Sequence, residues 1–271
     1  MRVIVCVDME GIGGIFVWEQ VTGGNPQYEE GRRLLTEEIN AAVRGARKAG
    51  ATEIVVYDLH GAGGGYSFKS VLLEHADPGA HYVLGGPWMR YTKPLADGCD
   101  AVLLVGAHAM AGTKDGVLCH TMSSQSWYNA WINNTLVGES GLCAGICGHW
   151  NAPVAFVSGD QATCDEVQTL LGPQVTPVVT KWGIGRFAAR CLAPLVTRAL
   201  IEEKVAEALN PAHLKQLKIY NPQPATLKVQ LATPDQANQY RGKIGLEIVD
   251  ERTVISRGDD FWEAWDHFWP H

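Results

Sequence analysis

A three-layer α/β/α fold around a mostly parallel sheet, with a smaller α+β lobe at the carboxyl end, is what this 271-residue sequence predicts. Three observations predict it. Short continuous runs of Val, Ile and Leu recur along the chain, as strands buried on both faces of a parallel sheet require. Segments of helical periodicity alternate with those runs, and such alternation is the pattern of an open α/β sheet. Several of the runs end in Asp, Glu or His, the residue types that populate the carboxyl edge of such sheets.

The first run is residues 3–7, ending at Asp8. Residues 28–49 follow as a helix, with Leu34, Leu35, Ile39, Val43 and Ala46 on one face and Glu29, Glu30, Arg33, Glu37 and Lys48 on the other. With a second strand at 54–57 they make a βαβ unit, whose crossover is right-handed. Further strands are expected at 101–105, 154–157 and 175–179, and further helices at 141–150, 161–171 and 195–209. Residues 118–138 break the rhythm: Trp127, Tyr128, Trp131 and Ile132 meet Asn133-Asn134, a pair that accepts positive φ, before Thr135-Leu136-Val137. That is a hairpin, expected to project from the sheet. After Asn210-Pro211 come a strand at 227–231 and a helix beginning near Pro234. The expected division is a catalytic α/β domain at 1–210 and a smaller α+β lobe at 211–271. Aromatics at helical spacing in 261–269 suggest docked core, dense enough to suggest contact with another subunit as well.

Hydrophobic residues make up 46% and charged residues 19%, so the chain can build a core. A net charge of -7 offers no field for a phosphate backbone, which excludes nucleic acid as a partner. The apolar run at the start is too short for a signal peptide or a membrane span, so a cytoplasmic protein is expected. Seven Cys with no CxxC pair suit reduced thiols acting as small core residues. Cys119, beside His120, is weighed as a reactive thiol against that commoner packing role.

The chemistry lies in a coincidence of strand ends. Asp8-Met9-Glu10 follows the first run, Asp58-Leu59-His60 the second, Gly106-Ala107-His108 the third and Ser158-Gly159-Asp160 the next, while Glu139 opens a helix after the hairpin. An extended chain would put Asp8 and Glu10 on one side. Any one acidic residue at a strand end is usually a helix cap or turn former. Several carboxylates gathered at one crevice would repel unless a cation sat among them. Mixed imidazole and carboxylate donors suit zinc, and five such residues exceed the needs of one open catalytic ion. Two ions sharing a carboxylate are expected, with Asp8 as the bridge.

These residues resemble peptidase family M55, the D-aminopeptidases of the DppA type. The likeness is carried by Val7-Asp8-Met9-Glu10-Gly11, Asp58-Leu59-His60, Gly106-Ala107-His108-Ala109 and Gly116-Val117-Leu118-Cys119-His120-Thr121-Met122. It continues through Ile132-Asn133-Asn134, Val137-Gly138-Glu139, Ser158-Gly159-Asp160 and Cys191-Leu192-Ala193-Pro194, in order along the first 195 residues. The resemblance implies zinc ligation by Asp8, Glu10, His60, His108 and Glu139, with His120 as the catalytic residue beside them. It also implies release of D-amino acids such as D-Ala from short peptides, and a ring-like homodecamer. Thr113-Lys114-Asp115-Gly116 and the Gly-rich stretch 61–65 depart from the family pattern and bear on the pocket walls.

A metal-activated water would attack the scissile carbonyl, with His120 moving a proton or steadying the oxyanion. Asp58, and less strongly Asp160, are expected to orient ligand imidazoles. Lys181 and Arg186 are weighed as a substrate-carboxylate site or a solvated pair. Gly11, Gly13 and Gly14 do not make a dinucleotide loop, because Phe16 stands at the sixth position. Competing functions are a dinuclear phosphoesterase, which lacks its Gly-Asn-His-Asp/Glu run here, and a peptide-binding module of a transport system.

Overall fold

A computed structural model describes residues 1–85 and 93–269. In chain order its elements begin with β1 (Arg2–Val7), α1 (Tyr28–Lys48), β2 (Glu53–Asp58), β3 (His81–Val83), α2 (Lys93–Ala96) and β4 (Ala101–Ala107). Then come β5 (Trp127–Ile132), β6 (Thr135–Val137), α3 (Glu139–His149), β7 (Val154–Asp160), α4 (Gln161–Leu171), β8 (Thr176–Gly185) and β9 (Ala188–Cys191). The chain ends with α5 (Pro194–Ala208), α6 (Pro211–Leu214), β10 (Ala225–Leu231), α7 (Pro234–Asn238), β11 (Leu246–Ile248), β12 (Thr253–Gly258) and α8 (Phe261–Asp266).

All five apolar runs become strands of one seven-stranded sheet, in the order β3-β2-β1-β4-β7-β8-β9. Every pairing is parallel except that of β8 with β9. Alternate residues of β1 face opposite layers, as strand geometry dictates. Val3, Val5 and Val7 pack with Leu35, Ile39 and Val43 of α1 and Ile201 of α5, while Ile4 and Cys6 pack with Leu142, Cys143 and Ile146 of α3. The sheet therefore lies between α1 and α5 on one face and α3 and α4 on the other, a three-layer α/β/α arrangement. β3 and β9 escaped the sequence reading because they are short edge strands whose residues are only partly buried.

The hairpin leaves the main sheet and turns at Asn133, whose φ is +54°. It is then recruited by residues from the carboxyl end: β5 pairs with β10 in an antiparallel five-stranded sheet ordered β11-β12-β10-β5-β6. The terminal aromatics dock within this chain, with Phe261 and Trp265 of α8 fully buried between α3 and the second sheet. Pro270 and His271 lie outside the described residues. No helix among the described residues is long and apolar enough to cross a membrane.

The order β2-β1-β4 makes the space beyond β1 and β4 a switch point, with one crossover leaving over each face of the sheet. Two glycines let the backbones close up there. Gly11 N–H donates to the Gly106 carbonyl at 2.8 Å, and a Cβ on Gly11 would lie 1.9 Å from the Ala107 carbonyl oxygen. Gly106 has φ +75°, and a Cβ on it would lie 2.2 Å from the Asp8 carbonyl oxygen. Gly11→Ala is accordingly expected to cost about 1–3 kcal/mol through overpacking, seen as a lower urea midpoint at unchanged slope.

Candidate metal centre

The strand ends meet at that switch point. β1 ends at Val7, and the chain turns at Met9 and Glu10 instead of staying extended as the sequence reading supposed. Asp8 Oδ1 accepts from Met9 N–H at 2.8 Å, and both carboxylates still point into one hollow. His60, two residues past β2, places Nδ1 2.9 Å from Asp8 Oδ1 and 3.3 Å from Glu10 Oε2. His108, one residue past β4, places Nε2 3.3 Å from Asp8 Oδ2 and 3.1 Å from Glu139 Oε1. His120 Nε2 lies 3.5 Å from the same Glu139 oxygen, and its ring stacks on His108 with centroids 4.0 Å apart. The five expected ligand residues and His120 are thus brought together.

Each imidazole is fixed by a backbone carbonyl. His60 Nε2–H donates to Val21 at 2.7 Å, His108 Nδ1–H to Ala109 at 3.0 Å and His120 Nδ1–H to Leu118 at 2.9 Å. A neutral imidazole has one N–H, so each of these bonds sets the tautomer and turns the other nitrogen's lone pair toward carboxylate oxygens. Lone pairs facing lone pairs repel unless a proton or a cation lies between them. Glu10 Oε2 and His108 Nε2 are buried and make no hydrogen bond among the described residues. Such orphaned atoms, in a mixed nitrogen and oxygen set, fit zinc.

Crowding shows in the acidities. Burial and the charge of Glu10 push Asp8 up to about 7, against the pull of His60 and His108. Burial also works against ionisation of Glu10, yet His60 foremost holds it well below the usual carboxylate range. Burial disfavours protonated His60 and His108, but Glu10 and Glu139 respectively keep both well above the ordinary imidazole value. His120 moves down, through burial and the neighbouring His108.

Three expectations need correction. Asp58 does not touch an imidazole: it accepts the backbone N–H groups of His60, Ser70 and Val71, so it shapes the loop that carries His60. Asp160 caps α4, accepting from Thr163 N–H at 2.8 Å and from Val117 N–H. Lys181 is neither solvated nor open to substrate. It is fully buried in β8 and its Nζ donates to the carbonyls of Glu10, Ile12 and Ile15. Burial pushes its pKa down to about 8. Arg186 donates to the Cys119 carbonyl at 3.1 Å, bracing the segment that carries His120. Cys119 itself is buried, with its thiol turned to the Thr113 carbonyl.

The cage opens into a cavity of about 800 Å³. Its walls include Trp18, Phe68, Met122 and Trp269, none of which the sequence reading assigned to the site. Trp18 meets His120 edge-on at 5.5 Å between ring centroids. Met122 closes the Gly116–Met122 motif without a role assigned to it, and no motif marks the three aromatics, which arrive from loops and from the far end of the chain.

A carboxylate and imidazole cage at the switch point of a three-layer α/β fold is the apparatus of a metallohydrolase. The chain belongs to the peptidase M55 family, whose D-aminopeptidase model matches residues 1–269. A D-aminopeptidase of Bacillus subtilis (strain 168) is 33% identical over 273 residues, covering 98% of this chain and 94% of that protein. The solved structure of the Zn-dependent D-aminopeptidase DppA from Bacillus subtilis, a self-compartmentalizing protease, superposes with a TM-score of 0.90 at 32% identity. That match covers 99% of this chain and 95% of the other.

The Asp8 shift has a stability consequence. Its folded pKa of about 7 exceeds the ordinary 3.8, so the metal-free fold binds more protons than the unfolded chain between those values. Stability from this group is full below the lower value and is lost as pH rises through the higher one. Chelated protein is expected to become easier to unfold in urea from about pH 4 to about pH 7. Asp8→Asn should flatten that slope; an unaltered slope would remove Asp8 as its source.

Proposed function

We propose that the chain is a dinuclear zinc aminopeptidase that cleaves the N-terminal peptide bond of short peptides and releases D-amino acids such as D-Ala. The observation that carries this reading is the convergence of three tautomer-fixed imidazoles and three carboxylates in one cavity of an M55 family member. Asp8, Glu10, His60, His108 and Glu139 would hold the ions. Asp8 offers one oxygen toward His60 and the other toward His108, which supports a bridging role. When bound, zinc supplies Lewis acidity toward a carbonyl and lowers the pKa of water toward neutrality.

The protein's own groups divide the remaining work. His120 stands at the cavity wall with Nε2 3.5 Å from Glu139 Oε1, and burial beside His108 lowers its basicity, so this nitrogen can take a proton and hand it to a leaving amine. Stacking on His108 and the bond to Leu118 hold the ring still, so the proton moves along a set direction. Trp18, Phe68 and Trp269 exclude water from the space where a short peptide would lie. The self-compartmentalizing character of the Bacillus protein supports a closed homo-oligomer for this chain too; that it is a homodecamer is proposed from the family resemblance alone. Its seven free cysteines suit the reducing cytoplasm.

Metal analysis combined with turnover of D-alanyl and L-alanyl peptides, before and after chelation and zinc return, tests the reading. Two zinc ions per chain, D-selective turnover and loss of activity on chelation are expected. One ion per chain would end the dinuclear assignment, and L-selectivity the D-amino acid one. His120→Ala is expected to keep both ions while turnover falls by roughly 100-fold or more, the worth of a positioned acid-base group. Near-normal turnover would take His120 out of the mechanism.

A further inference from the structure

A second group of ligand-type side chains lies on the α3 side of the sheet and plays no part in the zinc chemistry. Cys6 comes from β1, two residues before Asp8, and so faces the same layer as Ile4. Cys143 and Cys147 come from α3, one and two turns beyond Glu139 on the same helix. The three sulfurs lie within 4.8 Å of one another, and those of Cys143 and Cys147 are 4.0 Å apart. All three are free thiols and all are buried, at 6%, 7% and 1% exposure.

This spacing has a chemical meaning. With metal–sulfur bonds of about 2.3 Å, three thiolates around one ion sit about 4 Å from each other. The Cys143–Cys147 pair is already at that separation and all three sulfurs lie within 4.8 Å, so loading asks for rotamer adjustments and no rearrangement of strand or helix. Its donors are all sulfur, and soft donors of this kind select soft cations over the hard ones that carboxylates prefer. There is also a way in: Cys6 and Cys143 both line the large cavity, whereas Cys147 closes the group from behind.

We propose that Cys6, Cys143 and Cys147 form a three-thiolate site for one soft cation of the Cu(I), Zn(II) or Cd(II) class, distinct from the carboxylate and imidazole cage. Each thiol gives up its proton to solvent as its sulfur binds, with no change of oxidation state. The loaded site ties β1 to α3, the two elements that supply Asp8 and Glu139.

The test uses full-length, reduced, metal-free protein titrated with cadmium ion, followed by the ultraviolet charge-transfer band that only sulfur ligation gives. The band is expected to reach the amplitude of one thiolate-bound cadmium per chain, whatever further cadmium the cage takes up without a sulfur band, and to protect three thiols from an alkylating reagent. Cys143→Ala and Cys147→Ala, each checked for folding by near-ultraviolet circular dichroism, are expected to abolish it or weaken cadmium binding at least tenfold. Cys6→Ala gives a third, independent readout should either helix variant fail to fold. His108→Ala, which breaks the cage alone, and Cys191→Ala, which removes the exposed thiol, are expected to leave the band unchanged. Absence of the band in the wild type, its full survival in any folded variant of the three cysteines, or its loss in His108→Ala would overturn the proposal.

Discussion

Three carboxylates and three imidazole lone pairs cannot share a buried hollow without positive charge among them, and most of the architecture around β1 and β4 serves that arrangement. Isolated ions in a low-dielectric interior carry a desolvation cost of several kcal/mol each. Among the described residues no Arg or Lys pairs with these carboxylates, and the ion pairs of the hollow involve His alone. Instead the fold locks every imidazole through a carbonyl, so that the nitrogen facing the carboxylates is the one left to take a proton or a cation. A site built this way prefers a multivalent cation to a proton, because one cation answers several lone pairs at once.

Lys181 does for the backbone what a cation does for the side chains. The turn after β1 leaves the carbonyls of Glu10, Ile12 and Ile15 pointing inward, off the hydrogen-bond ladder of the sheet. One buried ammonium takes all three. A charged donor to several carbonyls forms stronger bonds than neutral donors would, so the Glu10 carboxylate is presented from a backbone that is held at three points. This also explains why a lysine sits in the interior of a strand otherwise made for a core.

Much of this was legible in the sequence, and what was not has definite physical reasons. Continuous apolar runs and a long amphipathic helix give strands and layers directly, because burial on two faces or one leaves different periodicities. The cage residues were legible because strand ends in a parallel sheet share one edge, so Asp8, His60 and His108 converge by topology alone. Asp58 and Asp160 were misread because a carboxylate at a strand end looks the same whether it faces a cation or a row of backbone N–H groups. Lys181 was misread because burial of a charge is decided by a loop more than 160 positions away. The three thiols were invisible as a group, since Cys6 and Cys143 meet only once β1 and α3 are packed.

The division of labour between the two sheets bears on what can vary. The cage and its supports come from the main sheet and the turns at its edge, where Gly11 and Gly106 leave no room for a side chain. The floor of the cavity is main sheet and α3, but much of its wall comes from loops: the stretch 61–63, Met122 to Gln125 before the hairpin, and Trp269 beyond α8. Side-chain substitutions in those walls act first on the shape offered to a peptide, because these residues belong to loops, although the Met122 backbone N–H also donates to Glu139 Oε1 at 2.6 Å and so ties one wall to the cage. Substitutions at Gly11 or Gly106 act in the opposite way, since a Cβ there meets the Ala107 or Asp8 backbone and must push apart the two strand ends that carry Asp8 and His108. Of the departures from the family pattern, residues 61–63 line the cavity and 113–116 do not, and neither segment supplies a cage residue, so sequence difference in this chain falls on the wall and its surroundings and spares the convergence of Asp8, Glu10, His60, His108 and Glu139.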